Sequence, residues 1–446
     1  MTNRSLRAAL GLLVVLLLAY LIWRPTPPGP MGESISPGED FLTAQIVASA
    51  VKMVNASQHR MVKSPLPGYP PKATQIAVPG ASNPPAQPYR RDVHSKTHGC
   101  LRASFTVVDN LDPRLRFGLF ANPKRYDAWI RFSSGNAYPQ PDSTHDARGM
   151  AIKVMGVEGK KLLDDDGLPH ANTQDFALMN STQFFIRNIN EYAEFTGYLS
   201  SGFGPRARYG YFLGGYPFPN PFRWHLREMR LALKTLKPAP DSLLNTQFYS
   251  VSAYKLGPEL NVKYSAKPCK DSPAADVSRR DPNFLRAEMV KRLASGAACF
   301  DFMVQRQVPG KDMPVEDTTV DWSEDDSHFI PVARLDIPSQ QFEQYNDLCE
   351  DLSFTPWHSL TDHRPIGVMN RIRKAAYLEV SRFRRQRNGA PLCEPDNPSK
   401  SNPPDWTAID KDSCEQPGTL PPVNSSLSSL SPASQSPANS VPTHAP

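Results

Sequence analysis

Arg91, His94 and Lys96 fall within RDVHSK, residues 91–96, and a second imidazole follows at His98. Imidazole is the side chain best suited to moving protons near neutral pH. A guanidinium three residues before it can hold a carboxylate through two parallel hydrogen bonds. Two histidines four apart also suit a pair of metal ligands on one helical face, but no Glu completes an HExxH pattern here. The segment also runs into LRASFTVVD, which reads as a strand. His94 is therefore the first candidate for an acid–base group, and His98 stays open for the same role. A separate reading gathers His94, His98 and His145 around a metal ion.

A second chemical group lies far along the chain. RKAAY places Arg373 one helical turn before Tyr377, and positions 373, 377, 381 and 384 form one stripe of a helix. A phenol, whose ordinary pKa is about 10, ionises at neutral pH only beside a cation or a metal. Arg373 could be that cation, and Arg384 extends the same stripe.

Three segments between these groups are candidates to position them. In IRFSSG, Arg131 and Ser133 would share one face of a strand and Ile130 and Phe132 the other. That is the pattern of a sheet with core on one side and either a functional cavity or solvent on the other. HDARGMAIK and NSTQFFIRN follow, the latter carrying Asn180, Phe184 and Phe185.

The chain of 446 residues is 39% hydrophobic and holds 46 prolines, which crowd into 25–38, 64–89 and 391–446. These flanks bracket a body at 88–390. LRASFTVVD, DAWIRFSS and MAIKVMGV read as strands, and segments near 187–200, 222–237, 282–298 and 366–388 read as helices. The expected class is α+β. Another helix-like segment, EDFLTAQIVASAVKMVNASQ, precedes an extended arm at 64–89, and the Ser/Pro-rich tail to 446 reads as disordered. Residues 25–87 form a Pro-rich linker and 391–446 the tail.

AALGLLVVLLLAYLIW, residues 8–23, carries no charge and follows Arg4 and Arg7. With no small-x-small cleavage site after it, it reads as an uncleaved single-pass anchor over residues 1–24, body on the outside, periplasmic if bacterial. The net charge of +6 is largely interspersed, and only 371–387 is markedly basic, so no nucleic-acid partner is expected. On that run Arg382, Arg385 and Arg387 read as a solvated face. Six cysteines show no zinc spacing; Cys393 and Cys414 could staple the start of the tail.

RDVHSK (R-x-x-H-x-K), IRFSSG (V-R-F-S), HDARGMAIK (D-x-R-G-x-A-x-K), NSTQFFIRN and RKAAY (R-x-x-x-Y) occur in this order. Together they resemble the catalase family, specifically its shorter catalase-related heme proteins, over about residues 88–390. The resemblance implies a catalase-like antiparallel β-barrel core with surrounding helices, here preceded by the N-terminal helix, and heme b as cofactor. It implies His94 as the distal acid–base and Tyr377 as the iron ligand, with Arg373 keeping the phenolate deprotonated. Arg91, Arg131 and Arg384 would hold heme propionates, Ser133 would fix the His94 tautomer, and Phe184 and Phe185 would pack on the heme. The implied substrate is hydrogen peroxide or an organic hydroperoxide. An allene-oxide-synthase-like enzyme and a non-catalytic heme-binding module are the alternatives, and a homo-oligomer stays open.

The pattern departs from the family in two places. Met179 stands where an ungapped match puts the distal asparagine, and a one-residue shift brings in Asn180. Thr97 and His98 replace small residues, and the stretch before FTV is one residue longer.

Overall fold

In the computed structural model, which describes residues 3–23, 32–69, 88–202, 204–269 and 273–415, nine strands form one antiparallel sheet. They are β1 (Thr97–Val107), β2 (Arg125–Ser134), β3 (Arg148–Met155), β4 (Thr173–Met179), β5 (Phe248–Tyr249), β6 (Tyr254–Leu256), β7 (Leu260–Pro268), β8 (Ala298–Arg306) and β9 (Ile330–Ile337). Their order is β5-β4-β3-β2-β1-β9-β8-β7-β6, and β5 also pairs with β7. That extra pairing closes eight strands into a barrel, with β6 riding on β7. An eight-stranded ring is just wide enough for side chains to fill. Here Phe105, Phe132, Phe176, Tyr264 and Phe302 fill it, with the Phe176 and Phe302 ring centroids 4.7 Å apart.

Alternation along β2 then decides where chemistry can sit. Ile130 and Phe132 point into the packed interior, so Arg131 and Ser133 face outward, away from the barrel core. β1 pairs with β2 along its length, from Thr97 opposite Ser133 to Thr106 opposite Arg125, with a bulge between Thr97 and Gly99. The bulge absorbs the additional residue noted in the sequence and lets His98 break the alternation.

The helices lie outside the barrel. They are α1 (Asn3–Trp23), α2 (Glu39–Lys63), α3 (Ile189–Leu199), α4 (Pro205–Tyr209), α5 (Leu226–Thr235), α6 (Phe284–Ser295), α7 (Asn346–Asp351) and α8 (Val368–Asn388). α2 packs on α3 and α8. Arg371 ties α8 to Glu39 on α2 and, at 2.9 Å, to Glu316. α8 ends where Gly389 turns left-handed at φ 64°, letting Ala390 N–H reach the Arg385 carbonyl at 2.9 Å.

The N-terminal expectation is corrected. Among the described residues no helix is long and apolar enough to cross a membrane. The single-pass anchor, and the membrane location drawn from it, therefore fall away.

The C-terminal boundary also differs. Residues 391–415 are folded: β10 (Glu394–Pro395) pairs with β11 (Ile409–Asp410), and Cys393–Cys414 joins the segment's ends. Glu394 on this segment is buried, 2.7 Å from Lys153 of β3. Trp406 packs edge-on against Trp129, centroids 5.1 Å apart. Burial of one aromatic and one paired carboxylate outweighs the composition that suggested a tail. Residues 416–446, and 70–87 of the expected arm, lie outside the described residues. The remaining cysteines pair as Cys100–Cys349 and Cys269–Cys299.

Candidate functional site

The outward face of β1–β3, the 91–94 segment and α8 line a cavity that opens to solvent. Its wall includes Arg91, His94, Arg131, Ser133, Arg373, Tyr377 and Arg384. Thus seven of the ten site residues expected from sequence are brought together from three distant stretches of chain.

His94 enters the cavity because its backbone is left-handed, φ 55°, a conformation costly for most residues but one in which His is enriched. Its Nδ1 lies 3.0 Å from Ser133 Oγ. Below it, Gly149 has no side chain, and a Cβ there would stand 2.6 Å from Nδ1. Burial holds the imidazole pKa down at about 3, with help from the charges of Arg131, Arg373 and Arg91. His94 is therefore neutral at ordinary pH, with a lone pair free to take a proton.

His98 does not reach the cavity. It is fully buried, with Nε2 3.0 Å from Ser134 Oγ, and burial pushes its pKa well down. Among the described residues no group of three or more His, Cys, Asp or Glu side chains could hold a metal ion, so the three-histidine reading is dropped.

Across the cavity, α8 presents Arg373, Tyr377, Ser381 and Arg384 on one face, as the spacing requires. The Arg373 guanidinium lies 5.8 Å from the Tyr377 ring centroid and donates to Ser252 Oγ at 3.2 Å. Burial works against its charge, but Tyr377, Tyr254 and Tyr192 more than offset this, and its pKa is raised. Arg385, expected in solvent, is buried against the Asp351 carbonyl at 2.8 Å, and Arg382 pairs with Glu415 at 2.9 Å. Arg387 is exposed.

The remaining expected residues lie elsewhere. Asn180 is not among the residues lining the cavity: its Oδ1 accepts from Arg148 N–H at 2.7 Å, and Met179 lines the cavity instead. Phe184 and Phe185 pack tilted against each other, centroids 4.5 Å apart, in the apolar layer with Tyr192 and Tyr211.

Two acids here were missed in the sequence. Asp92 lines the cavity between Arg91 and His94, and burial lifts its pKa to about 6. Its place inside RDVHSK was the available signal. Glu350 on α7 pairs with Arg90 at 3.0 Å and accepts from Thr97 Oγ1. Burial would raise its pKa, but Arg90, Arg131 and Arg91 overcome this and hold it at about 2. No motif marks Glu350; the Cys100–Cys349 bridge brings it here.

Around the cavity, cations exceed anions. Arg131 donates to the His94 carbonyl at 2.8 Å, yet its Nε has no hydrogen-bond partner, and neither does Arg91 Nη1, whose nearest anion is Glu350 at 3.7 Å. Burial, then Arg91, draws the Arg131 pKa down to about 9; Arg384 is pushed well below its ordinary value by burial and by Arg91. Buried guanidiniums in that condition call for an anion. A heme fits this donor set, since two propionates supply the missing charge and Tyr377 faces the same space.

No protein-family model matches the chain. A catalase-related peroxidase of Mycolicibacterium paratuberculosis (strain ATCC BAA-968 / K-10) is 27% identical over 248 residues, covering 53% of this chain and 69% of that protein. A fungal catalase structure superposes with a TM-score of 0.52 at 16% identity, over 69% of this chain and 60% of that one. Catalase A from Saccharomyces cerevisiae gives 0.51 at 15%, over 81% and 76%. A closed antiparallel barrel carrying a cavity on its outer face defines the catalase-like class of fold. The chain has a catalase-like fold, and it spans 60% of the length of the fungal catalase it matches.

Proposed function

We propose that this protein is a heme-dependent peroxidase acting on peroxide, with His94 as acid–base and Tyr377 as iron ligand. One observation carries the reading: neutral His94 and Tyr377 line the same cavity, rimmed by the under-neutralised Arg91, Arg131 and Arg384. Tyr377 would hold the iron of heme b, and the three arginines its propionates. When bound, the heme supplies the redox chemistry of O–O cleavage.

The chain's own residues then manage protons. In the tautomer whose Nδ1–H donates to Ser133 Oγ, 3.0 Å away, His94 keeps its Nε2 lone pair for substrate. That nitrogen takes the proton of a hydroperoxide's inner oxygen and returns it to the outer one, which leaves as water or alcohol. Met179, in the wall where a distal amide would help orient a small peroxide, favours a second reading. Ala151, Ala177 and Met179, which share the outward face, present apolar surface suited to an organic hydroperoxide.

The test is an absorption spectrum and peroxide turnover of hemin-loaded protein beside Tyr377→Phe and His94→Asn. Expected are a Soret band altered by Tyr377→Phe and turnover abolished by His94→Asn with the band retained. A colourless protein, or a spectrum unchanged by Tyr377→Phe, overturns the proposal. Normal hemin binding with turnover indifferent to His94 supports a non-catalytic heme module instead. Comparing hydrogen peroxide with a fatty-acid hydroperoxide separates the two substrate readings.

A further inference from the structure

Residues 205–237, from α4 through α5, hold seven Arg and Lys against one acid, Glu228. Their net +6 equals that of the whole chain. Glu228 is buried, whereas Arg206, Arg208, Arg223, Lys234 and Lys237 are exposed. The loop YFLGGYPFPNPFRW, residues 211–224, projects between the two helices. At its tip Phe218 is 86% exposed and Phe222 98%, and Tyr209, Tyr216 and Leu233 are also exposed.

These rings are not displaced core residues. The loop is braced by Gly215 N–H to the Gly210 carbonyl at 2.8 Å, Asn220 N–H to Leu213 at 3.0 Å and His225 N–H to Phe212 at 3.0 Å. Its base is rooted through buried Tyr211 in a cluster with Phe185 and Leu231. Three prolines, at 217, 219 and 221, limit its conformations further. The fold therefore presents two phenyl groups outward from a rigid support, in a segment whose exposed charges are all cations, of which Arg223 pairs with Glu194 of α3 at 2.8 Å.

We propose that this tip docks the protein peripherally on an anionic lipid surface. Phe218 and Phe222 enter the boundary between headgroups and acyl chains, and the flanking Arg and Lys meet the headgroup phosphates. Bulky apolar groups beside cations, with no exposed carboxylate in the segment, complement such a surface in both polarity and charge. A second copy of this chain is the poorer occupant, because a two-fold contact would set +6 against +6. The contact is peripheral and requires no membrane-crossing helix. It is independent of the peroxide chemistry.

The test is cosedimentation of the full chain with phosphatidylcholine vesicles, with and without phosphatidylglycerol. The comparison proteins are Phe218→Ser/Phe222→Ser and Arg206→Glu/Lys234→Glu. All keep α1, so differences among them report on the tip. The wild type should prefer the phosphatidylglycerol vesicles. The Phe pair should lower that affinity at least about tenfold, given the transfer energy of two phenyl rings. The charge pair should weaken binding to phosphatidylglycerol vesicles alone, and the thermal midpoints should not move. Undiminished binding by either variant, or equal wild-type binding to both vesicles, overturns the proposal. So does a lipid-free change in oligomeric state on replacing the two Phe, which would make the tip a protein contact.

Discussion

Gly149 lies so close beneath His94 that a methyl group in its place would stand 2.6 Å from the imidazole Nδ1 and 2.8 Å from Ser133 Oγ. The glycine of HDARGMAIK is thus a spatial requirement of the candidate base. Gly149→Ala must push the ring from its hydroxyl partner. Peroxide turnover should fall on the order of 100-fold, the effect of a misplacement near 1 Å, while hemin titration should show binding retained. Unchanged turnover would mean that the His94 position does not matter to the chemistry.

Glu350 makes stability depend on acid. Its folded pKa of about 2 lies below the ordinary 4.5, so the unfolded chain takes up this proton first as pH falls. The contribution is intact above about pH 4.5 and drains away toward pH 2. Glu350→Gln leaves Arg90 without its partner and should cost about 3 kcal/mol or more near neutral pH. Denaturant melts at neutral and acid pH should show that deficit narrowing as pH drops.

His94 contributes an acid loss of the same sign. Its pKa is lowered from 6.5 to about 3, so protonation favours the unfolded chain across that window. The hemin-free wild type should lose up to about 1.4 kcal/mol per pH unit from this group between those values. His94→Asn tolerates the left-handed backbone and lacks the titration. Unfolding curves should therefore converge on acidification, and parallel pH profiles would deny the imidazole its buried setting.

Cys100 on β1 and Cys349 on α7 close a span of 249 residues. Replacing both with Ser should lower the unfolding free energy by about 2–5 kcal/mol. It should also loosen α7, so that the acid sensitivity assigned to Glu350 weakens in the same melts. A stability loss with that sensitivity intact would separate the bridge from the arginine cluster.

Much of the site was readable in local spacing. The stripe from Arg373 to Arg384 needs only helical periodicity, and the split of Arg131 and Ser133 from Ile130 and Phe132 needs only strand alternation. Spacing could not show which neighbouring residue turns inward. Met179 and Asn180 differ by one position, and strand register places the former on the cavity. His98 was a rival until the bulge in β1 turned it toward Ser134. Glu350 was invisible because long-range pairing delivers it. The apolar stretch near the N-terminus was over-read, and the folded 391–415 segment was under-read because a few buried contacts outweighed its composition.

The two-residue strand β5 bonds to β4 on one side and β7 on the other, so the ring has no free end from which to peel. Opening it anywhere breaks a seam shared by its neighbours on both flanks. Amide deuteration in β1, β2 and β3, which form the floor beneath His94, should therefore proceed by whole-barrel melting rather than by local fraying. A pocket built on such a floor is carved on something that yields all at once or not at all.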